Sequence, residues 1–210
     1  MKKWTVTALC VVSLAGCVSQ NKAPGLTPTA AAPSDPQSAW QQRQAQFARM
    51  ASWRLQGRAG IQFRDQSASF GLSWVQQGKD QYEMNINNPI TGSLVALLKG
   101  TGSQVTLQTN GQTYTAADAE SLLQSRVGVT LPVAGMKYWV RGVPSPDYPV
   151  EDVQLDNLGR PQVLQQTGWR VTYTGWQGEN SEALPVRINL ERAAENTRVR
   201  VVAKEWQTRY

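Results

Sequence analysis

Apolar positions along this chain change their spacing several times, and each change predicts an element. Behind Ser34-Asp35-Pro36, a capping residue and a first-turn proline, Trp40, Phe47, Met50 and Ala51 recur at helical spacing among glutamines and arginines. That pattern predicts an amphipathic helix over 36–51. From Leu55 the period is two: Leu55, Gly57, Ala59, Ile61 and Phe63 alternate with Arg54, Gln56, Arg58, Gln62 and Arg64. A half-buried strand is predicted. Ala68, Phe70, Leu72 and Trp74 repeat the pattern beyond Asp65-Gln66, and Tyr82, Met84 and Ile86 repeat it beyond Gln77-Gly78-Lys79-Asp80. Short turns between alternating runs describe an antiparallel meander.

The meander continues through Leu94 to Leu98, Val105 and Leu107, and, after the hairpin signal Asn110-Gly111, Thr113-Tyr114. Thr115-Ala-Ala-Asp118 then resembles a capping box, with Ala119, Leu122, Leu123 and Arg126 at helical spacing and Gly128 as a stop. Another short helix is predicted from Pro132 to Arg141, ending at Gly142. Alternation resumes at Val153 and Leu155 and recurs at Val163-Leu164, Trp169 to Tyr173, Val186 to Leu190, and Val199 to Ala203. The whole reads as mainly β, with ten or eleven short strands and three helices, and no long internal repeat.

The N-terminus follows a different logic. Lys2 and Lys3 precede the apolar run Thr5 to Leu14, which ends in Leu14-Ala15-Gly16-Cys17. A basic start, a short apolar core and small residues before the cut make an export signal, and the run falls short of the ~20 residues that a spanning helix needs. The ending is a lipobox, so residues 1–16 are expected to be a signal peptide and Cys17 the lipidated N-terminus. Val18 stands where, in the lipoproteins that this N-terminus resembles, an aspartate signals inner-membrane retention, which favours the outer membrane. Residues 17–35, rich in Pro, Ala, Thr and Ser without periodicity, are expected to be a flexible tether, and 36–210 a single domain.

Composition excludes more chemistry than it offers. The chain has no histidine, and its two cysteines are Cys10, lost with the signal, and Cys17, consumed by lipidation. Histidine-dependent triads, zinc sites and Cys-His pairs therefore cannot be built, and no enzyme, metal or cofactor is expected. Asp118 and Glu120 lie two apart on a predicted helix and so do not face each other. Loss of Lys2 and Lys3 lowers the formal charge from +6 to +4, scattered without runs, and no nucleic-acid partner is expected.

Large apolar groups dominate the predicted inward faces, including Phe63, Phe70, Trp74, Tyr82, Trp139, Trp169, Tyr173, Trp176 and Trp206. Two readings are open for them. They fill a packed core, or a curved sheet with a helical cover leaves them lining a cavity for acyl chains. Asn87-Asn88-Pro89-Ile90-Thr91-Gly92 is a turn cluster in which neither Pro nor Gly explains Ile90. It folds back onto the sheet, or it protrudes and touches lipid.

Several stretches, Gln112 to Glu120 leading into Leu131-Pro132 and Tyr138 to Pro144, Gly168 to Tyr173, and Asn88-Pro89-Ile90, resemble the LolB family of outer-membrane lipoprotein receptors, as does the lipobox. The resemblance implies an incomplete, half-open antiparallel β-barrel of about 11 strands with a helical lid. It implies a cavity that accepts the acyl chains of other lipoproteins from a LolA-like periplasmic carrier, and delivery of that cargo into outer-membrane lipid by a monomer. Candidate cavity residues are Ile61, Phe63, Phe70, Leu72, Trp74, Met84, Ile86, Trp139 and Trp169. The family's membrane-inserting loop corresponds to Pro89 and Ile90, with Leu94 as a second candidate for the tip, since Ile-Thr stands before Gly where Leu-Gly is usual. The competing reading is a structural or assembly lipoprotein that binds a protein partner through a sheet edge or an aromatic patch.

Overall fold

A computed structural model describes residues 35–50 and 52–209; the signal peptide, Cys17 and all of the tether but Asp35 lie outside the described residues. Helix α1 spans Pro36–Ala48, with Asp35 accepting from the Ser38 amide at 3.2 Å. It ends earlier than its apolar spacing predicts, at an Arg49 cap, because from Ser52 the backbone is taken up by strand pairing on both sides.

Eleven strands form one antiparallel sheet in the order β6-β5-β4-β3-β2-β1-β11-β10-β9-β8-β7. The first half is a meander, β1 (Ser52–Phe63), β2 (Gln66–Gln77), β3 (Gln81–Asn87), β4 (Leu94–Thr101), β5 (Val105–Thr109) and β6 (Gln112–Ala116). The second half is β7 (Asp152–Leu155), β8 (Pro161–Gln166), β9 (Trp169–Trp176), β10 (Pro185–Arg192) and β11 (Thr197–Arg209). The long strands β1 and β11 join the halves with a register shift between Gln56 and Gly57. A Cβ on Gly57 would sit 2.1 Å from the Val202 carbonyl oxygen, so only glycine permits this close approach.

The edge strands β6 and β7 are linked through helices α2 (Ala119–Val127) and α3 (Val133–Trp139), so the chain crosses the apolar face of the sheet to pass from one edge to the other. The cap of α2 is Asp118, which accepts from Ser121 N and Oγ at 2.7 Å each, rather than Thr115, which belongs to β6. Gly128, at φ 77°, closes the helix. An open antiparallel sheet of 11 strands with three helices agrees with the ten or eleven strands read from the alternation and with the helix-covered sheet that the family resemblance implied.

Candidate functional site

Register determines what shares the inner face. One rung runs Trp206, Leu55, Trp74, Met84, Leu98, Leu107 and Tyr114 from β11 to β6. The next, toward the β1–β2 hairpin, runs Ala203, Gly57, Leu72, Ile86, Ala96 and Thr109. Ala59 then faces Phe70, and Ile61 faces Ala68. Thus Ile61, Phe70, Leu72, Trp74, Met84 and Ile86 form one contiguous apolar field, with Phe63 at its far end. Trp139 and Trp169 lie elsewhere, under the other half of the sheet, with ring centroids 6.4 Å apart.

Burial divides the field. Leu72, Trp74, Met84, Trp139 and Trp169 are buried in the main core, whereas Ile61, Phe63, Phe70 and Ile86 are half-buried. Trp53 packs against both Trp74 and Trp206, at centroid distances of 5.0 and 5.6 Å. Half-burial therefore collects at the hairpin end of the sheet, next to the loop between β3 and β4.

That loop is organised by Asn88. Its side-chain oxygen accepts from the amides of Ile90 and Thr91 at 2.9 and 3.0 Å, and its backbone closes the turn with Gly92 and Ser93. The result is a hydrogen-bonded turn with Ile90 exposed at 92%. Leu94 and Val95 follow at 55% and 50% exposure, beside a register shift that sets Leu94 opposite Asn87 and Ala96 opposite Ile86. Apolar groups therefore continue from Leu94 and Val95 to the pairs Ile86–Ala96 and Met84–Leu98, the last of which is buried, and Ile90 stands beyond them across the turn Thr91-Gly92-Ser93. From Met84 to Leu98 no residue carries a charge.

The lid is held by polar groups that the alternation does not reveal. Buried Gln166 accepts from Trp139 Nε1 and the Ser145 amide and donates to the carbonyls of Ser145 and Tyr148, at 2.8 to 2.9 Å. Arg141 donates to the Phe47 carbonyl at 2.9 Å, and burial pulls its guanidinium down to about 10. Tyr173, fully enclosed, donates to the Trp139 carbonyl at 2.9 Å, and burial pushes its phenol far up. Arg43 reaches across from α1 to the same segment. Only their types, polar residues in strand or helix patterns, were visible in the sequence.

Two clefts border the lid. One, of about 140 Å³, lies among Trp74, Gln76, Tyr82, Val105 and Lys137, at the end of the sheet away from the Ile90 loop. Burial, together with the nearby Glu120 and Asp118 carboxylates, raises the Tyr82 phenol. The other, of about 500 Å³, lies over Trp139 and Trp169 between Pro132, Tyr148 and Thr167. Among the described residues no group of three or more His, Cys, Asp or Glu side chains is placed to hold a metal ion, and no helix is long and apolar enough to cross a membrane.

Comparison with known proteins adds to this geometry. The fold resembles a LolA superfamily protein from Nitrosomonas europaea, with a TM-score of 0.52 and 12% identity over 84% of this chain and 94% of that one. It also resembles a DUF1329 family protein from Desulfovibrio piger, with a TM-score of 0.56 and 6% identity over 83% and 94%. Relatives by sequence include the outer-membrane lipoprotein LolB of Cellvibrio japonicus, 37% identical over 95% of this chain and 93% of the relative. The LolB of Nitrosococcus oceani is 34% identical over 98% of both chains. The family model described as outer membrane lipoprotein LolB matches residues 51–206, and this chain belongs to that family.

Proposed function

We propose that this protein is an outer-membrane lipoprotein receptor. It takes acylated cargo from a LolA-like periplasmic carrier, shelters the acyl chains against the inner face of the sheet, and passes them into the membrane beside Ile90. Cys17 anchors the receptor through its own lipid, and the domain works as a monomer without catalytic chemistry. The observation that carries this reading is an exposed Ile90 at the tip of the turn that leads into Leu94 and Val95, also exposed, and on to the core at Met84 and Leu98.

Magnitudes favour such a route. An acyl chain in water costs about 0.8 kcal/mol per CH₂, so several long chains face a barrier of tens of kcal/mol unless an apolar path is continuous. Burying one isoleucine in lipid contributes roughly 2 to 3 kcal/mol, which holds a loop at a bilayer but does not anchor a protein. Insertion and anchoring are therefore assigned to different residues. The half-buried Ile61, Phe70 and Ile86 are the first inner-face groups a chain would meet, and Pro89 stiffens the approach to the tip. Leu72, Trp74 and Met84, and Trp139 with Trp169, lie deeper and would be reached only as the lid yields.

The test mixes the full chain, in vesicles, with carrier loaded with labelled acylated protein. Transfer of label to the receptor and then to lipid is expected, whereas absence of transfer would remove the reading. Ile90→Glu should take up cargo normally and release it into lipid roughly 30-fold more slowly, the equivalent of the ~2 kcal/mol that the isoleucine supplies. Release at the normal rate would mean that Ile90 has no part in delivery.

A further inference from the structure

The outer face of the sheet, away from the lid, carries a second feature. Along one rung lie Asn87, Gly71, Arg58, Val202 and Arg187. The next rung toward the hairpin holds Ser69, Gly60, Arg200 and Asn189, and the one after it Ser67, Gln62, Arg198 and Glu191. Arg198 is neutralised by Glu191 at 3.1 Å. Arg58, Arg187 and Arg200 are exposed and make no ion pair among the described residues.

Arg200 borders a hollow, and Arg58 and Arg187 lie one rung away from it. Gly60 has no side chain, and a Cβ there would meet nothing closer than 3.7 Å. The depression, about 320 Å³, is lined by Gly60, Ser67, Ser69, Asn189 and Arg200, with the Glu191–Arg198 ion pair at its edge. Hydroxyl and amide donors beside Arg200, with Arg58 and Arg187 on the next rung, suit an anion with several acceptor oxygens. The patch lacks the aromatic anchors that dominate protein-binding hot spots.

Its position selects the anion. Asn87, on the same rung as Arg58, is the last residue of β3, and the Ile90 loop begins at the next residue. At about 4.8 Å per strand, Arg58 lies about 10 Å and Arg187 about 20 Å along the sheet from the root of the loop. A bilayer surface that receives Ile90 thus comes within reach of the arginines, while the stretch from Met84 to Leu98 offers headgroups no charge of its own. We propose that Arg58, Arg187 and Arg200 form a docking patch for the phosphates of anionic phospholipid headgroups, setting how the receptor sits on the leaflet that it serves. This rests on the membrane address and not on cargo handling.

The test uses the chain from residue 17 onward carrying Cys17→Ser, so that neither the apolar signal nor an acyl anchor masks weak binding. It is sedimented with vesicles of phosphatidylcholine alone or mixed with phosphatidylglycerol, at low salt and at ~0.15 M salt. The parent should prefer the anionic vesicles, less so at the higher salt. Arg58→Gln/Arg187→Gln/Arg200→Gln should lose at least about tenfold of that affinity, given roughly 1 kcal/mol per basic residue at an anionic surface. Its thermal midpoint and its binding to phosphatidylcholine should not change. The charge-matched control Arg126→Gln/Lys204→Gln/Arg209→Gln should keep most of the preference. An unchanged preference in the first variant, or an equal loss in the control, would overturn the proposal. So would a variant that binds vesicles normally but loses uptake from the carrier, since the patch would then dock an acidic protein. Failure of even the parent to take up cargo would refute the receptor reading and leave the vesicle result standing.

Discussion

Replacing Arg43 by methionine isolates what holds α1 against the rest of the domain. The side chain is 1% exposed, and its guanidinium donates to the carbonyls of Arg141, Gly142, Ser181 and Ala183 at 2.6, 3.0, 2.7 and 2.9 Å. It also lies 4.5 Å from the Phe47 ring centroid and 4.8 Å from that of Trp176. Methionine keeps much of the stem and its packing but offers no donor, so the carbonyls stay buried with less satisfaction. Charge-assisted bonds of about 1.5 to 3 kcal/mol each are offset by relief from burying a cation, and removal of such a buried partner leaves a net cost of roughly 3 to 5 kcal/mol. In a domain of this size each kcal/mol moves the thermal midpoint by about 2 to 4 °C, so Arg43→Met should melt about 10 °C lower by circular dichroism. Arg43→Lys should fall in between, because an ammonium cannot span carbonyls on two separate segments. A methionine variant that melts within about 2 °C of the parent would refute the reasoning, as would full rescue by lysine.

Other consequences are independent of Arg43. Gln166→Glu removes the donor to the Ser145 and Tyr148 carbonyls and points a carboxylate at them; a loss of about 3 kcal/mol in urea unfolding is expected. Gly159→Ala places a Cβ 2.5 Å from the Pro36 carbonyl oxygen at a φ of 71°, so it should cost about 2 kcal/mol and speed amide exchange in α1. Hydrogen bonds from the Ser121 amide and hydroxyl lower the Asp118 carboxyl, so its contribution is present above its unfolded value of about 3.9 and is lost as pH falls through the lower folded value. Asp118→Asn should therefore flatten the acid limb of urea midpoints measured from about pH 5 to pH 2.

How much of this was legible in the sequence depends on the kind of interaction. Strand alternation is a backbone property, and Leu55 to Phe63 or Phe70 to Trp74 announce their faces without help from the rest of the chain. The hairpin at Asn110-Gly111 and the stop at Gly128 are equally local, since both need positive φ. The end of α1 was not legible, because competition from strand pairing beyond Ser52 decides it. Nor was the cap of α2: Thr115 and Asp118 are both competent, and only the reach of β6 chooses between them. For Ile90, the turn residues announced a loop, but its exposure depends on Asn88 bonding the amides around it. The roles of Arg43, Arg141 and Gln166 come from partners about 20 to 140 positions away, which no local pattern encodes.

The same uneven distribution bears on how a filled interior could admit cargo. Trp74, Leu98, Leu107, Trp139 and Trp169 are almost fully buried, so an acyl chain gains apolar surface only where side chains or a helix give way. The C-terminal end of α3 is tied by Gln166, Arg141, Tyr173 and Arg43, each through buried hydrogen bonds whose loss is costly. Helix α2 is held differently: it buries Ala119, Leu122 and Leu123, and its polar link to α3 is the exposed bond from the Ala134 amide to Glu120. Three modest apolar contacts are worth roughly 5 kcal/mol, and an incoming acyl chain replaces them with equivalent contacts at about 0.8 kcal/mol per CH₂. The buried hydrogen bonds under α3 have no such substitute in a hydrocarbon chain. Exchange of side chains for cargo is therefore cheapest under α2, over β5 and β6, which continue the rungs of Met84–Leu98 and Ile86–Ala96.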